Sequence, residues 1–525
     1  MKPLSLSFFS LCLFLAALFP LASQEAGEAS VGASAEAAAE AAAGAADTTV
    51  YVIRGINFDI TGRTRPYALR NHGRLQEGET FTGRAALDFY IRDRTQLLVN
   101  QRVLKDTVTI TPTLGEPEAD GRIPVDLLIT VSDTWNIMVF PKPLWDSNDG
   151  FDLTLKGRDY NFFGTMSPLR LDLGYQLNTR KESNFNFLID SDIPFTALGF
   201  NWNINFDNQF DYSWREALGY ANTTGISMEL PWRRSTFIFD ISHQISWYDK
   251  NSAWERDQGY GKFFEGLINS IGFGVDWKIP TGLEVYKFGE LTYTPKLRQS
   301  LNYNPGSWDM NEWRDLRRSY TTSFNQTLGF GRVDWIGNFR RGLEASFENE
   351  NTYNYTRRTW NNSYSLNAAG HYLFSDSLGI TSRLQFRHWF LNFPRSLYYD
   401  GGDVLRGVLD ADVWADMMFS INIELPIRVL SARPSRWFKK DKMRIFNFEF
   451  FLSPTLDIGL AHLPSPMNGQ KVLTPYYTGG LEALIFPDIM RSLYIRLSLG
   501  FDLDKFFWDY SIPSAEFFFG LGHFF

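Results

Sequence analysis

"SLYIRLSLGFDL", Ser492 to Leu503, decides the fold. Leu493, Ile495, Leu497, Leu499, Phe501 and Leu503 alternate with Ser492, Tyr494, Arg496, Ser498, Gly500 and Asp502. A period of two gives a strand one apolar face and one polar face. The pattern recurs upstream. Leu198, Phe200, Trp202, Ile204 and Phe206 alternate with Gly199, Asn201, Asn203, Asn205 and Asp207. "LRLDLGYQL" from Leu169 and "FIFDISHQISW" from Phe237 repeat it.

A soluble sandwich shows the same alternation. Two features tilt the choice. The apolar faces are long enough to cross a hydrocarbon layer at a tilt. The opposite faces carry Asn, Asp, Arg and Gln, which suit a wet lumen. Backbone exposed to lipid cannot stay unpaired, so such strands must close on themselves. The expected fold is an all-β transmembrane barrel of about 16 antiparallel strands, possibly 18, spanning residues 135–525. Short turns such as "FPDIM" alternate with long connections such as "RQSLNYNPGSWDMNEWRDLRRSY", the asymmetry of such barrels.

Composition agrees. Aromatic residues make up 16% and the formal charge is −8. There is no basic tract for nucleic acid. Past the leader there is no apolar run of about 18 residues, which excludes a bundle of spanning helices.

The N-terminus reads as processing signal. Lys2, the run "LSFFSLCLFLAALF" and Leu21-Ala22-Ser23 make residues 1–23 a secretory signal peptide. Residues 24–48 are Ala-rich, without aromatics, and read as a disordered linker. The one cysteine is Cys12, inside the leader. The mature chain therefore has no disulfide and no cysteine metal site, which suits a bacterial envelope protein.

Residues 49–134 read differently. "TVYVIRGINFDI" is a strand and "RPYALRNHG" a short helix starting at Pro66. "GETFTGRAALDFYIRDRTQLLVNQ" holds a second helix. "VLKDTVTITPTL" and "IPVDLLITVSDTW" are two more strands. The order is strand, helix, helix, strand, strand. With "GETF" at Gly78–Phe81, this resembles a POTRA domain, the periplasmic module of outer-membrane assembly proteins. Any small α+β domain shares the bare pattern.

Three further stretches carry a resemblance to the BamA/TamA superfamily of outer-membrane assembly proteins. "GRDYNFFGT", Gly157–Thr165, resembles its early barrel motif through Asp159, Asn161 and Gly164. "GGDVLRGV", residues 401–408, resembles its loop motif through Gly401, Gly402, Leu405, Arg406 and Gly407. "TLDIGLAH" resembles its downstream strand motif through Asp457 and Gly459. The chain ends "AEFFFGLGHFF", where Phe517, Phe519, Leu521 and Phe525 resemble a C-terminal barrel signal. The resemblance implies that the loop folds into the barrel and that Arg406 meets Asp457. Standing alone, "GGDVLRGV" reads as an exposed loop with turn glycines. The family usually has an aromatic residue after Arg-Gly, where this chain has Val408.

No catalytic pattern accompanies these stretches. The six histidines are scattered without ligand spacing, and there is no nucleophile elbow or phosphate loop. The chain is expected to have no enzymatic activity, no cofactor and no metal. "RPSRWFKKDKM", Arg433–Met443, is a basic, aromatic turn on the periplasmic side by strand parity. It reads as an interfacial turn, or as one that holds a partner or lipid head groups.

The resemblance implies an assembly factor of the bacterial outer membrane, its N-terminal domain in the periplasm. Implied partners are outer-membrane lipids, unfolded barrel-protein clients and periplasmic or lipoprotein accessory factors. Two alternatives stay open: a polypeptide-export pore of the two-partner secretion type, and a passive porin or surface-antigen barrel.

Overall fold

The computed structural model describes residues 48–523 apart from 120, 147–149, 178–182, 214–216, 249–265, 286–287, 304–319, 357, 391–398, 401–403, 409–412, 465–470, 492 and 505–514. Residues 1–47, which hold the expected signal peptide and nearly all of the expected linker, lie outside the described residues, as do Gly401, Gly402 and Phe525.

The N-terminal part holds strand β1 (Val50–Thr61), helix α1 (Pro66–Gly73), strand β2 (Thr80–Thr82), helix α2 (Arg84–Asn100), and strands β3 (Thr109–Leu114) and β4 (Ile123–Ser132). They form a four-stranded sheet in the order β2-β1-β4-β3 with two helices. Pro66 starts α1 where its missing N–H is not needed. Arg74, at φ 48, closes the helix and donates its N–H to Asn71. The three-residue β2 is additional to the sequence reading. Gly78, at φ 86, turns the chain so that Tyr51 faces Phe81. By contacts the chain divides into two compact units. The first takes residues up to Gly55 with Gln76–Arg92 and Pro112–Leu127. The second takes Ile56–Leu75, Asp93–Thr111 and Leu128–Phe525.

The second unit contains a closed antiparallel barrel. Its strands begin with β5 (Ile137–Asp146), β6 (Gly150–Asp159), β7 (Leu169–Leu177), β8 (Ser183–Ala197), β9 (Phe200–Ser213) and β10 (Ala217–Trp232). They continue with β11 (Ser235–Tyr248), β12 (Gly266–Glu284), β13 (Glu290–Tyr303), β14 (Tyr320–Ile336), β15 (Phe339–Asn354), β16 (Thr359–Ser375) and β17 (Leu378–Phe390). A small ribbon of β18 (Tyr399–Asp400) and β19 (Trp414–Ala415) stands apart from the ring. The last strands are β20 (Met417–Glu424), β21 (Ile427–Ala432), β22 (Phe448–Pro464), β23 (Lys471–Pro487), β24 (Leu493–Asp502) and β25 (Ala515–His523).

The ring thus contains 19 segments. β20 and β21 are one interrupted stave: Glu424 faces Thr381 and Ile427 faces Leu378, in one unbroken register. Pro426, which has no N–H, marks the break. Counting the two as one leaves 18 staves, the even number that an all-antiparallel ring requires. One detail departs from the sequence reading. Leu198 belongs to no strand but to the turn between β8 and β9, where Leu198 and Gly199 have φ of 54 and 78. A two-residue turn with both φ positive matches the twist of its flanking strands.

The expected two-sidedness is present. Outward residues such as Phe273 and Ile241 are about half exposed, at 52% and 50%. Inward Ser420, Thr478 and Ser498 are buried. No helix among the described residues is long and apolar enough to cross a membrane.

The ring closes between β25 and β5. The direction of the β5 backbone there follows from one hydrogen bond. Tyr160 N–H donates to Asn136 O at 2.9 Å, and the β5–β6 register pairs Ile137 with Asp159 without a shift down to Asp146. Even-numbered N–H groups of β5 therefore point to β6, and odd-numbered ones to β25. Pro141 and Pro143 are odd. They leave the β6 ladder intact and remove two donors from the closing seam, the placement that proline in a sheet requires.

Candidate functional site

The site is built where the segment Val404–Val408 lies against the inner wall of the last staves. Strand parity points Asn422 and Glu424 of β20, Asp457 of β22, Glu482 of β23, and Arg496, Ser498 and Gly500 of β24 into the lumen together. Register places Asn422 opposite Asp457 and Ser498 opposite Glu482.

Arg406 occupies the centre. Its backbone N–H donates to Asp457 Oδ2 at 3.0 Å, and its Nε to the same oxygen at 2.9 Å. Its Nη2 meets Asp457 Oδ1, completing a two-pronged pair. Its Nη1 donates to Glu424 Oε1 and to Glu482 Oε1, each at 3.1 Å. Asp457 is 1% exposed. Around the centre, Glu482 also accepts from Arg496 and, at 3.3 Å, from Ser498 Oγ. Arg383 approaches Glu424 to 3.7 Å. Arg406, Arg496 and Arg383 thus stand among Asp457, Glu424 and Glu482. Burial lowers the Arg406 pKa. The Asp457 hydrogen bonds, with the charges of Asp457, Glu424 and Glu482, more than reverse this and raise it.

The backbone of the segment is held as firmly. Asn422 Nδ2 donates to Val404 O at 2.9 Å, and Gly407 N–H donates to Glu516 Oε2 of β25 at 2.8 Å. Gly407 has φ 95, and a Cβ there would lie 2.5 Å from Phe501 N. Only glycine fits both the conformation and the approach. Apolar packing completes the site. Leu405 and Val408 are buried with Val413, Ala415, Met418 and Ala461, against Val404 and Tyr476. A Cβ on Gly459 would meet Leu405 Cδ1 at 2.8 Å. Val408 thus fills with small aliphatic neighbours the place where the resembled motif has an aromatic ring. A polar cavity of about 280 Å³ adjoins the cluster, lined by Arg383, Gln385, Arg406, Glu424, Glu516 and Phe518.

The early motif forms a second, separate cluster. Asn161 is fully buried. Its Nδ2 donates to Thr64 Oγ1 at 2.7 Å and to Asp133 Oδ2 at 3.1 Å, and its Oδ1 accepts from Met166 N–H at 2.9 Å. Asp159 accepts from Arg63 Nη2 at 2.9 Å and from Asn161 N–H at 3.1 Å. Gly164, at φ 75, accepts from Arg65 N–H at 2.9 Å; a Cβ on it would lie 2.1 Å from Arg63 O. These residues tie the chain before α1 to the turn after β6.

Phe517 and Phe519 lie on β25 opposite Leu499 and Leu497, on the outward face. Leu521 lies on the same strand, opposite Ile495. Between them, Phe518 turns inward. Arg496 stands 5.4 Å from its ring and Lys142 Nζ of β5 stands 5.9 Å from it, across the seam.

The sequence reading did not single out Glu424, Glu482, Arg383, Arg496 or Glu516. The available signal was parity: Glu424, Glu482, Arg383 and Arg496 each share the inward face of their strand with small polar residues, and Glu516 shares its own with Phe518 and Gly520. Among the described residues, no group of three or more His, Cys, Asp or Glu side chains is arranged to hold a metal.

No family model and no curated protein matches the sequence. Among solved structures, the fold is similar to CdiB from Acinetobacter baumannii, at 13% identity and TM-score 0.47, covering 90% of this chain and 74% of that one. It is similar to BamA from Haemophilus ducreyi lacking POTRA domains 1–3, at 12% identity and TM-score 0.39, covering 90% and 84%. It is also similar to CdiB from Escherichia coli, at 10% identity and TM-score 0.39, covering 90% and 91%.

Proposed function

We propose that the chain is an outer-membrane β-barrel that assists the folding and insertion of other barrel proteins. Membrane residence is supported by the outward apolar face and the polar lumen, since a water-soluble barrel would not leave so many large side chains uncovered. The observation that carries the assembly role is the Arg406 segment. It is pinned to successive inner-wall carboxylates and ends on Glu516 of the stave that borders the seam. The loop and the closing strand form one connected unit, and the Arg406–Asp457 pair within it is the one that the BamA/TamA resemblance implies. The N-terminal α+β region, read as POTRA-like and periplasmic, would offer strand edges to unfolded clients by β-augmentation. Barrel lipids and accessory periplasmic factors are the other partners. Burial of the client's apolar face and pairing of its strands supply the free energy, and no catalytic step or cofactor is needed.

Depletion of the protein followed by an inventory of outer-membrane barrels tests the role. A general loss of barrels is expected. An unchanged inventory with loss of one secreted polypeptide would instead assign the chain to export. An unchanged inventory and secretome with steady conductance would assign it to passive transport.

A further inference from the structure

The turn between β21 and β22 has no part in the loop–seam unit, yet it is the most cationic stretch of the barrel. From Arg433 to Phe446 it carries Arg433, Arg436, Lys439, Lys440, Lys442 and Arg444 against the single carboxylate Asp441. It also carries Trp437, Phe438, Ile445 and Phe446, exposed by 62%, 61%, 51% and 55%. Large apolar side chains are rarely left in water in such numbers beside one another.

The turn is a built platform. Pro434–Trp437 forms a short helix, α3, and Asp441–Phe446 a 3-10 turn. Arg433 Nη1 donates to Asp488 Oδ1 at 2.8 Å, and Asn447 Oδ1 accepts from Ser435 N–H at 3.2 Å. Lys440 N–H donates to Ser435 O at 3.1 Å, and Asp488 N–H donates to Asn447 O at 3.0 Å. This scaffold holds Arg436, Trp437, Phe438, Lys439 and Lys440 outward together.

We propose that this turn binds anionic phospholipid head groups of the leaflet at the end of the barrel where β5 begins. The end follows from the antiparallel order. β25 finishes where β5 starts, and counting back from β25 through β24 and β23 puts the start of β22 there too. Two observations select lipid as the occupant. The apolar part continues the outward face of the wall, since Val429 and Leu430 on β21 are exposed and run into the turn. The charged part complements phosphate, and clusters of four to eight Lys/Arg beside a membrane-embedded segment attract anionic lipid. Aromatic rings at head-group depth with lysines beside them form an interfacial anchor. The inference rests on the membrane reading given above.

The test uses the full mature chain, which has no cysteine of its own, with Met443→Cys carrying a fluorophore. The protein is inserted into vesicles of phosphatidylcholine alone, or of phosphatidylcholine and phosphatidylglycerol at seven to three. Heat-modifiable migration on gels reports barrel insertion; its absence in both lipids would sink the membrane reading itself. With insertion established, the label is expected to be quenched by a lipid-borne quencher and shielded from an aqueous one. Phosphatidylglycerol is expected to remain on the protein after mild detergent extraction. Arg436→Gln/Lys439→Gln/Lys440→Gln/Lys442→Gln/Arg444→Gln is expected to at least halve that retention with unchanged heat-modifiable migration. Lys439→Gln/Lys440→Gln serves as the milder variant if the fivefold one does not fold. Equal retention in the variants, a label open to the aqueous quencher in both lipids, or shielding that appears only on adding periplasmic protein would overturn the proposal.

Discussion

Gly407 and Gly500 meet backbone to backbone: a Cβ on Gly500 would lie 2.6 Å from Gly407 N and 2.7 Å from Arg406 C. The loop lies on the wall itself, with no side chain between. Gly500→Val is expected to lift the segment from β24. Overpacking of this kind costs about 1–3 kcal/mol. A limited-proteolysis series would then show new cleavage between residues 401 and 412 while the rest of the barrel stays resistant.

The Arg406–Asp457 pair has a sharper test than a charge swap. Arg406→Asp with Asp457→Arg would set the new carboxylate against Glu424 and Glu482, both now 3.1 Å from the guanidinium. The double swap is therefore expected to fail even though the pair is real. Asp457→Ala leaves a buried guanidinium short of its main partner, at a cost of about 3–5 kcal/mol. Arg406→Met with Asp457→Leu removes both charges and is expected to cost less than Asp457→Ala alone. A double-mutant cycle on urea midpoints reads this. Arg406→Lys keeps the charge, loses the fork, and is expected to fall between wild type and Arg406→Ala.

Pro141 and Pro143 withhold two backbone donors from the side of β5 that faces β25. Pro141→Val with Pro143→Val restores two donors facing β25, each worth about 1 kcal/mol net. Amide exchange of β25 is expected to slow relative to β24. Equal exchange before and after would show that those donors find no acceptors on β25.

His72 on α1 supplies a pH test. Burial holds its pKa below the ordinary 6.5, against a weaker opposing effect of the Thr165 backbone. A depressed folded value means that the neutral form is favoured in the fold. Its contribution is present above pH 6.5 and is lost as pH falls below that value. Corrected amide protection within Tyr67–Gly73 is expected to drop on acidification, and His72→Gln is expected to remove that drop.

Much of the ring was legible because the strand period is strict. The alternating stretches Ser492–Leu503, Leu169–Leu177 and that from Phe237 coincide with β24, β7 and β11. Helix α1 was legible from Pro66 and Gly73, although the left-handed closing residue is Arg74. The break at Pro426 was not, because the pattern runs past it in one register. Leu198 was assigned to a strand because its apolar side chain keeps the period of two, whereas Gly199 beside it makes the turn. The centre of the site came from a resemblance. Its surroundings did not, because Glu424 and Glu482 look like any lumen carboxylate until the register brings them to Arg406.

The five residues Val404–Val408 touch β20, β22, β23, β24 and β25 in turn. Mechanically they are a brace across one arc of a hoop. Staves inside the arc cannot shear past one another without breaking the Arg406 contacts. The brace stops at Glu516, and the next joint is the one that Pro141 and Pro143 leave short of donors. A hoop stiffened along one arc concentrates strain where the stiffening ends. The joint between β25 and β5 is the first one that this brace does not span.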